Sequence, residues 1–259
     1  MNKMQKPISF TKPALDLLWV QLTWTFWFLG IYFLVNLGKI IFGDHVDSFY
    51  SAGYIASNIY MLVIGIIAIN FMPYYVENGI TRKNHFLGNT IAGVGLSIIL
   101  PILIFLINFV EKLLVNNFTS KVLNERSLDD IVIDIDGNII GEIIQTIILT
   151  PFINPESNLL LSLALFSLHI FMFYLIGWLI GAAFYRLGVI AGIIFIAIGL
   201  ALISVKDSMI RLAMELPLFE SFSFLDIVPQ TLALPIVFVV IAVIIILIRL
   251  LTKRAAIKI

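Results

Sequence analysis

The sequence predicts an all-α integral membrane protein with six transmembrane helices, and three observations carry that prediction. The 259 residues are 61% hydrophobic and only 12% charged, with a mean hydropathy of +1.07, whereas a soluble domain is about half apolar and about a quarter charged. Uncharged runs long enough to cross hydrocarbon occur six times; a span needs ~20 residues, each rising ~1.5 Å through ~30 Å of hydrocarbon. The runs are continuously apolar, so the alternating pattern of a barrel is excluded and each must be a helix that satisfies its own backbone.

The predicted spans are Leu17 to Leu37, Ser48 to Val76, Phe86 to Val110, Ser157 to Tyr185, Leu187 to Val205 and Ile227 to Ile248. Lys3, Lys6 and Lys12 precede the first run as they would a secretory signal. Its uncharged core exceeds the ~7 to 15 residues of a signal's apolar region, and no clear small-residue cleavage site follows, so a retained helix is expected. Pro101 and Pro235 fall inside the third and sixth runs, where each removes a backbone donor and can kink its helix.

With six spans both termini share one side. That side carries Lys3, Lys6, Lys12, Arg82, Lys83, Arg186, Arg249, Lys253, Arg254 and Lys258 against Asp16 and Glu77, while the other holds the remaining six bases and fourteen acids. Basic residues near span ends stay in the cytoplasm, so a multi-pass protein of the cell membrane with both termini cytoplasmic is expected. Trp19, Tyr74, Tyr75 and Tyr185 are placed at the inner interface, and Tyr50 and Tyr54 at the outer one.

The chain reads as a single transmembrane domain, 1–259, with its polar segments at 1–17, 77–85, 111–156, 206–226 and 249–259. In the long outer loop 111–156, "GEIIQTIIL" repeats apolar pairs one helical turn apart, as a helix lying along the membrane surface would. Before it, Asp129 to Ile140 reads as two short strands around Asp136 and Gly137. Asp134, Asp136 and Asn138 open like a calcium loop, but the twelfth position is Gln145, a neutral amide, so a plain turn is preferred. Segment 206–226 mixes charge with apolar residues and predicts a short helix or re-entrant cap on the outer end.

His169 is the main ionisable residue expected within a span, with Asn70 and Asn108 as polar neighbours; His169 and Asn108 are candidates for a pathway. No acid is expected deep in any span, which argues against proton-driven transport. Gly177 and Gly181, and again Gly188 and Gly192, set small residues one turn apart for close helix packing. His45, His85 and His169 are expected outside, inside and within the membrane, so no metal site and no catalytic residue is assigned. There is no cysteine, which excludes disulfides and cysteine-ligated metals.

The stretch "ENGITRKNHFLG" between the second and third spans concentrates polar residues in a chain that avoids them. Gly79 permits a left-handed backbone and Thr81 can cap a helix start, so the stretch is expected to make a short, basic helix facing the cytoplasm. Six spans, a short amphipathic lead-in (Ile8 to Leu18) and this motif resemble the permease subunits of type 2 ABC (ABC-2) exporters, especially the small ones of Gram-positive bacteria. The resemblance covers nearly the whole chain in topology and rests on one sequence motif. It implies a type V exporter-like transmembrane domain with residues 8–18 as an elbow helix on the inner leaflet. It further implies that Glu77, Asn78, Gly79, Ile80, Thr81, Arg82, Lys83, Asn84, His85 and Phe86 contact a cytoplasmic ATPase as a coupling helix. The long loop after the third span departs from that family's compact form.

The chain has no glycine-rich phosphate loop with Lys and Ser or Thr, so ATP and magnesium are expected on the partner ATPase and no cofactor on this chain. A second permease subunit, identical or a sister, and the lipid bilayer complete the expected partners; no nucleic acid is among them. The expected activity is ATP-driven export of hydrophobic or amphipathic cargo such as a membrane-active peptide, lipid or drug. The competing reading is a stand-alone membrane sensor or immunity protein that binds a peptide without transport; a membrane-embedded enzyme is disfavoured.

Overall fold

The computed structural model of the chain describes residues 10–43, 46–118, 123–124, 138–148, 151 and 153–256. These form eight α-helices: α1 (Thr11–Phe42), α2 (Phe49–Ala68), α3 (Phe71–Glu77), α4 (Arg82–Phe118), α5 (Ile139–Ile148), α6 (Leu159–Leu187), α7 (Val189–Ala213) and α8 (Gln230–Lys253). A 3-10 segment, Glu220–Ile227, precedes α8. Two-residue strands β1 (Val46–Asp47) and β2 (Leu123–Asn124) pair in parallel, tying the link after α1 to the chain beyond α4. Six helical stretches are long and apolar enough to cross a membrane, Phe49–Glu77 counting as one, and the chain is accordingly a multi-pass membrane protein.

The spans alternate in direction. One end, the basic end, gathers the start of α1, the link between α3 and α4, the turn between α6 and α7, and the end of α8; the distal end carries the other connections, α5 and the 3-10 segment. Side-chain caps set several boundaries. Ser48 accepts from Ser51 N at the start of α2, Asn158 from Leu161 N at α6, and Thr81 Oγ1 from Asn84 N at α4. At the basic end Arg186, closing α6, donates to the carbonyls of Leu250 and Leu251 in the last turn of α8, satisfying acceptors that the helix itself leaves open.

Several boundaries differ from the sequence reading. The lead-in is not a separate elbow: Thr11 to Leu18 are the first turns of one continuous α1, and residues 8–9 lie outside the described residues. Pro13 falls in the first turn, where a missing N–H costs nothing, so nothing breaks the helix there. The second span breaks at Ile69 and Asn70, where Met72 N bonds Ile69 O; Pro73 has no N–H to offer that carbonyl. Helix α4 spans 37 residues, about 55 Å at 1.5 Å per residue, and so projects past the bilayer. Helix α7 continues to Ala213, drawing Lys206, Asp207 and Arg211 into the bundle instead of a surface cap. Tyr50 and Tyr54, in the first two turns of α2, are buried in the core, whereas Trp19 and Tyr74 are exposed. Of the expected hairpin only Asn138 to Ile140 are described, and Ile139 and Ile140 are helical; the calcium-like residues Asp134 and Asp136 lie outside the described residues.

Helix α6 is the axis of the fold. It is apolar on all sides and packs against α2, α4, α7 and α8, with Met172 to Ala183 buried almost without interruption, the pattern of a helix enclosed on every side. Helix α1 covers α4, and the large apolar residues left exposed, Trp27, Ile31, Ile190, Ile194, Phe238 and Val239 among them, form an apolar outer surface suited to a bilayer. Gly177 and Gly181 let α6 meet the backbone of α2: a Cβ on either would collide with the carbonyl oxygens of Leu62 and Ile66. Gly65 answers from α2, against Tyr174 O. This is the small-residue packing expected of that pair. The second pair divides. Gly192 faces the ring of Phe184, but Gly188 has open space around it and serves the turn between α6 and α7, at φ +88°.

Candidate functional site

The polar corner at the basic end is built from the two helices it joins. Helix α3 ends at Glu77, with Asn78 N bonded to Tyr74 O and the Asn78 side chain donating to the same carbonyl at 2.7 Å. Gly79, at φ +81°, reverses the chain so that Ile80 N bonds Tyr75 O at 2.9 Å. Ile80 is buried with Leu17, Tyr75 and Ala92, which pins the corner to α1 and α4. Helix α4 then begins at Arg82 under the Thr81 cap. The link is therefore a four-residue turn, Asn78 to Thr81, and Arg82 to Phe86 are the first residues of a spanning helix, not a separate coupling helix.

Within this stretch the side chains divide by exposure. Glu77, Asn78, Gly79, Thr81 and Lys83 face outward, Arg82 and Asn84 are half-buried, and Ile80, His85 and Phe86 are buried. Arg249 of α8 lies over the Phe86 ring at 5.4 Å and reaches the Arg82 carbonyl at 3.5 Å, so α8 braces the corner. His85 packs against Tyr75, ring centroids 5.5 Å apart, as part of the core. Arg82 Nε has no hydrogen-bond partner among the described residues.

A second cluster, missed by the sequence reading, lies toward the distal half. Lys206 Nζ is 2.7 Å from His169 Nδ1 and 4.0 Å from an oxygen of Asp207, and Arg211 Nε donates to the other Asp207 oxygen at 2.7 Å. Lys206, Asp207 and His169 are wholly buried and Arg211 nearly so. The His169 ring stacks on Tyr54 and meets Phe173 edge-on; Arg211 lies over Phe219 at 4.1 Å and reaches Pro217 O at 3.4 Å. The expectation that no acid lies deep fails here, because α7 is eight residues longer than its uncharged run. A buried carboxylate held between two cations is the arrangement that lets such charges leave water.

Two further polar groups hold helices together. In the basic half Tyr174 OH donates to Asn89 Oδ1 at 2.9 Å, and Gln21 Nε2 donates to that same oxygen and to Tyr174 OH, with all three residues fully buried. In the distal half the Glu111 carboxylate accepts from Phe49 N at 2.7 Å and from Asn36 Nδ2, while Asn108 Oδ1 accepts from Tyr50 N at 3.0 Å. Asn108 thus caps the start of α2, and Asn70 is exposed at the break after α2. His169, the other pathway candidate, is packed away within the Lys206 cluster. Among the described residues no three histidine or acidic side chains converge to hold a metal ion.

No protein-family model, curated protein or solved structure matches the chain.

Proposed function

We propose that the chain is the non-catalytic permease subunit of an ATP-driven type 2 ABC exporter, working with a separate ATPase and a second permease subunit, and that its basic end faces the cytoplasm. The observation that supports this best is the corner at Asn78 to Thr81. It offers a polar surface, Glu77, Asn78, Thr81 and Lys83 with the half-buried Arg82 beside them, on a turn pinned by Ile80 and braced by Arg249. A turn so anchored passes a push directly into α4 and, through α3, into α2. Because α2 packs backbone to backbone on α6, the displacement would reach the axis of the bundle. ATP hydrolysis belongs to the partner, since this chain carries no phosphate loop. The expected cargo is hydrophobic or amphipathic, in keeping with the apolar surfaces of the bundle.

The test is purification of the tagged chain from its native membrane in mild detergent, followed by identification of what accompanies it. A soluble P-loop ATPase is expected in the complex and is expected to be lost with Lys83→Glu combined with Glu77→Lys, both exposed, while the melting temperature holds. An intact chain that never brings an ATPase would overturn the proposal and favour the stand-alone sensor or immunity protein.

A further inference from the structure

Helix α5 is inside out by the standard of a helix on a water-soluble surface. Its polar residues Glu142, Gln145 and Thr146 are buried against the bundle, while Ile139, Ile140 and Ile144 are 53%, 63% and 47% exposed. Spacings of three and four residues place Glu142, Gln145 and Thr146 on one face and Ile140 and Ile144 on another. In water this arrangement would waste the apolar face and desolvate the polar one; beside hydrocarbon both faces are matched.

The contacts also fix how deep the helix sits. At its N-terminal part Glu142 accepts from Ser221 N at 3.0 Å, in the 3-10 segment that caps the distal end. At its C-terminal part Asn58 Nδ2 donates to Ile147 O at 3.0 Å and Thr146 Oγ1 lies 3.5 Å from Ser204 Oγ. Asn58 is nine residues below the distal end of α2 and Ser204 nine below that of α7, about 14 Å along each axis. Two helices thus independently place the end of α5 well below the distal surface. Beyond it, Pro151 O accepts from the Tyr54 hydroxyl at 3.0 Å and Ile153 O from Ser162 Oγ.

We propose that α5 is a re-entrant half-helix that descends into the distal leaflet, its isoleucine face against lipid acyl chains and its polar face sealing the bundle beside the Lys206 and Asp207 cluster. The re-entrant element then lies between the third and fourth spans, not in the 206–226 segment where the sequence suggested one. Nothing in this inference depends on an ATPase or on which side of the membrane is cytoplasmic.

The absence of native cysteine makes the test direct. Spin labels are placed by Ile140→Cys and Ile144→Cys in the full chain in proteoliposomes, with Ile194→Cys as a lipid-facing control and Glu220→Cys as an aqueous one. Collision with oxygen is compared with collision with a water-soluble nickel chelate. Oxygen is expected to dominate at Ile144→Cys, as at Ile194→Cys, and to dominate less at Ile140→Cys, nearer the surface. Nickel dominating at both α5 positions, as at Glu220→Cys, would show the helix in water and overturn the proposal. Equal depth at the two positions would show a helix parallel to the surface and overturn the descent.

Discussion

Lys206 Nζ lies 2.7 Å from Nδ1 of His169, and both side chains are fully buried between α6 and α7. An ammonium has only donors, so with Lys206 charged the His169 ring accepts on Nδ1 and carries its own proton on Nε2. The positive charges of Lys206 and Arg211 are then opposed by the single carboxylate of Asp207. Asp207→Asn leaves two buried cations without that carboxylate and is expected to cost about 3–5 kcal/mol. Adding Lys206→Met to Asp207→Asn removes one of those cations and should restore part of the loss. Thermal melting in detergent checks both; a Asp207→Asn variant melting with the wild type would refute the charge balance described.

The contact of α2 with α6 depends on Gly177 having no side chain. Gly177→Leu forces the two backbones apart and is expected to cost about 1–3 kcal/mol or to abolish folded protein. Gly30→Leu, at a site with open space around it, should stay within about 0.5 kcal/mol of wild type. Folded yield by size exclusion and the melting temperature distinguish the two.

Glu111 receives donors from two different elements, Phe49 N of α2 and the Asn36 amide of α1. Glu111→Leu leaves both unmet in a buried setting, an expected loss of about 1–3 kcal/mol or more. Glu111→Gln keeps one acceptor, and Asn36 can turn its amide to present an oxygen, so a smaller loss is expected. Equal melting of both variants and wild type would show that the carboxylate does not tie α1 to α2.

The spans were legible because a bilayer demands length and apolarity that the sequence states openly. Continuity was less so: an uncharged run marks hydrocarbon, not helix ends, and α4 and α7 continue past theirs. That is why Lys206, Asp207 and Arg211 read as a surface segment although α7 carries them inward, where the one carboxylate lies between the two cations. The partnership of Lys206 with His169 joins residues 37 apart, which no local pattern records. In α5 the period was visible but its sense was not, because a helical repeat does not say whether water or lipid lies on the outer side. Gly177 and Gly181 were readable since spacing alone sets which residues share a helix face; Gly188 failed because the same spacing ran across a helix boundary.

The proposed function requires the corner after α3 to meet a soluble ATPase, and contact there can be read directly. A photo-crosslinking residue placed at Asn78, exposed and outside both flanking helices, is irradiated in native membranes and its adducts identified by mass spectrometry. An adduct with a soluble protein containing a P-loop is expected, diminished by Lys83→Glu. An Asn78 probe that yields no protein adduct, or only adducts with membrane proteins lacking a P-loop, would contradict it.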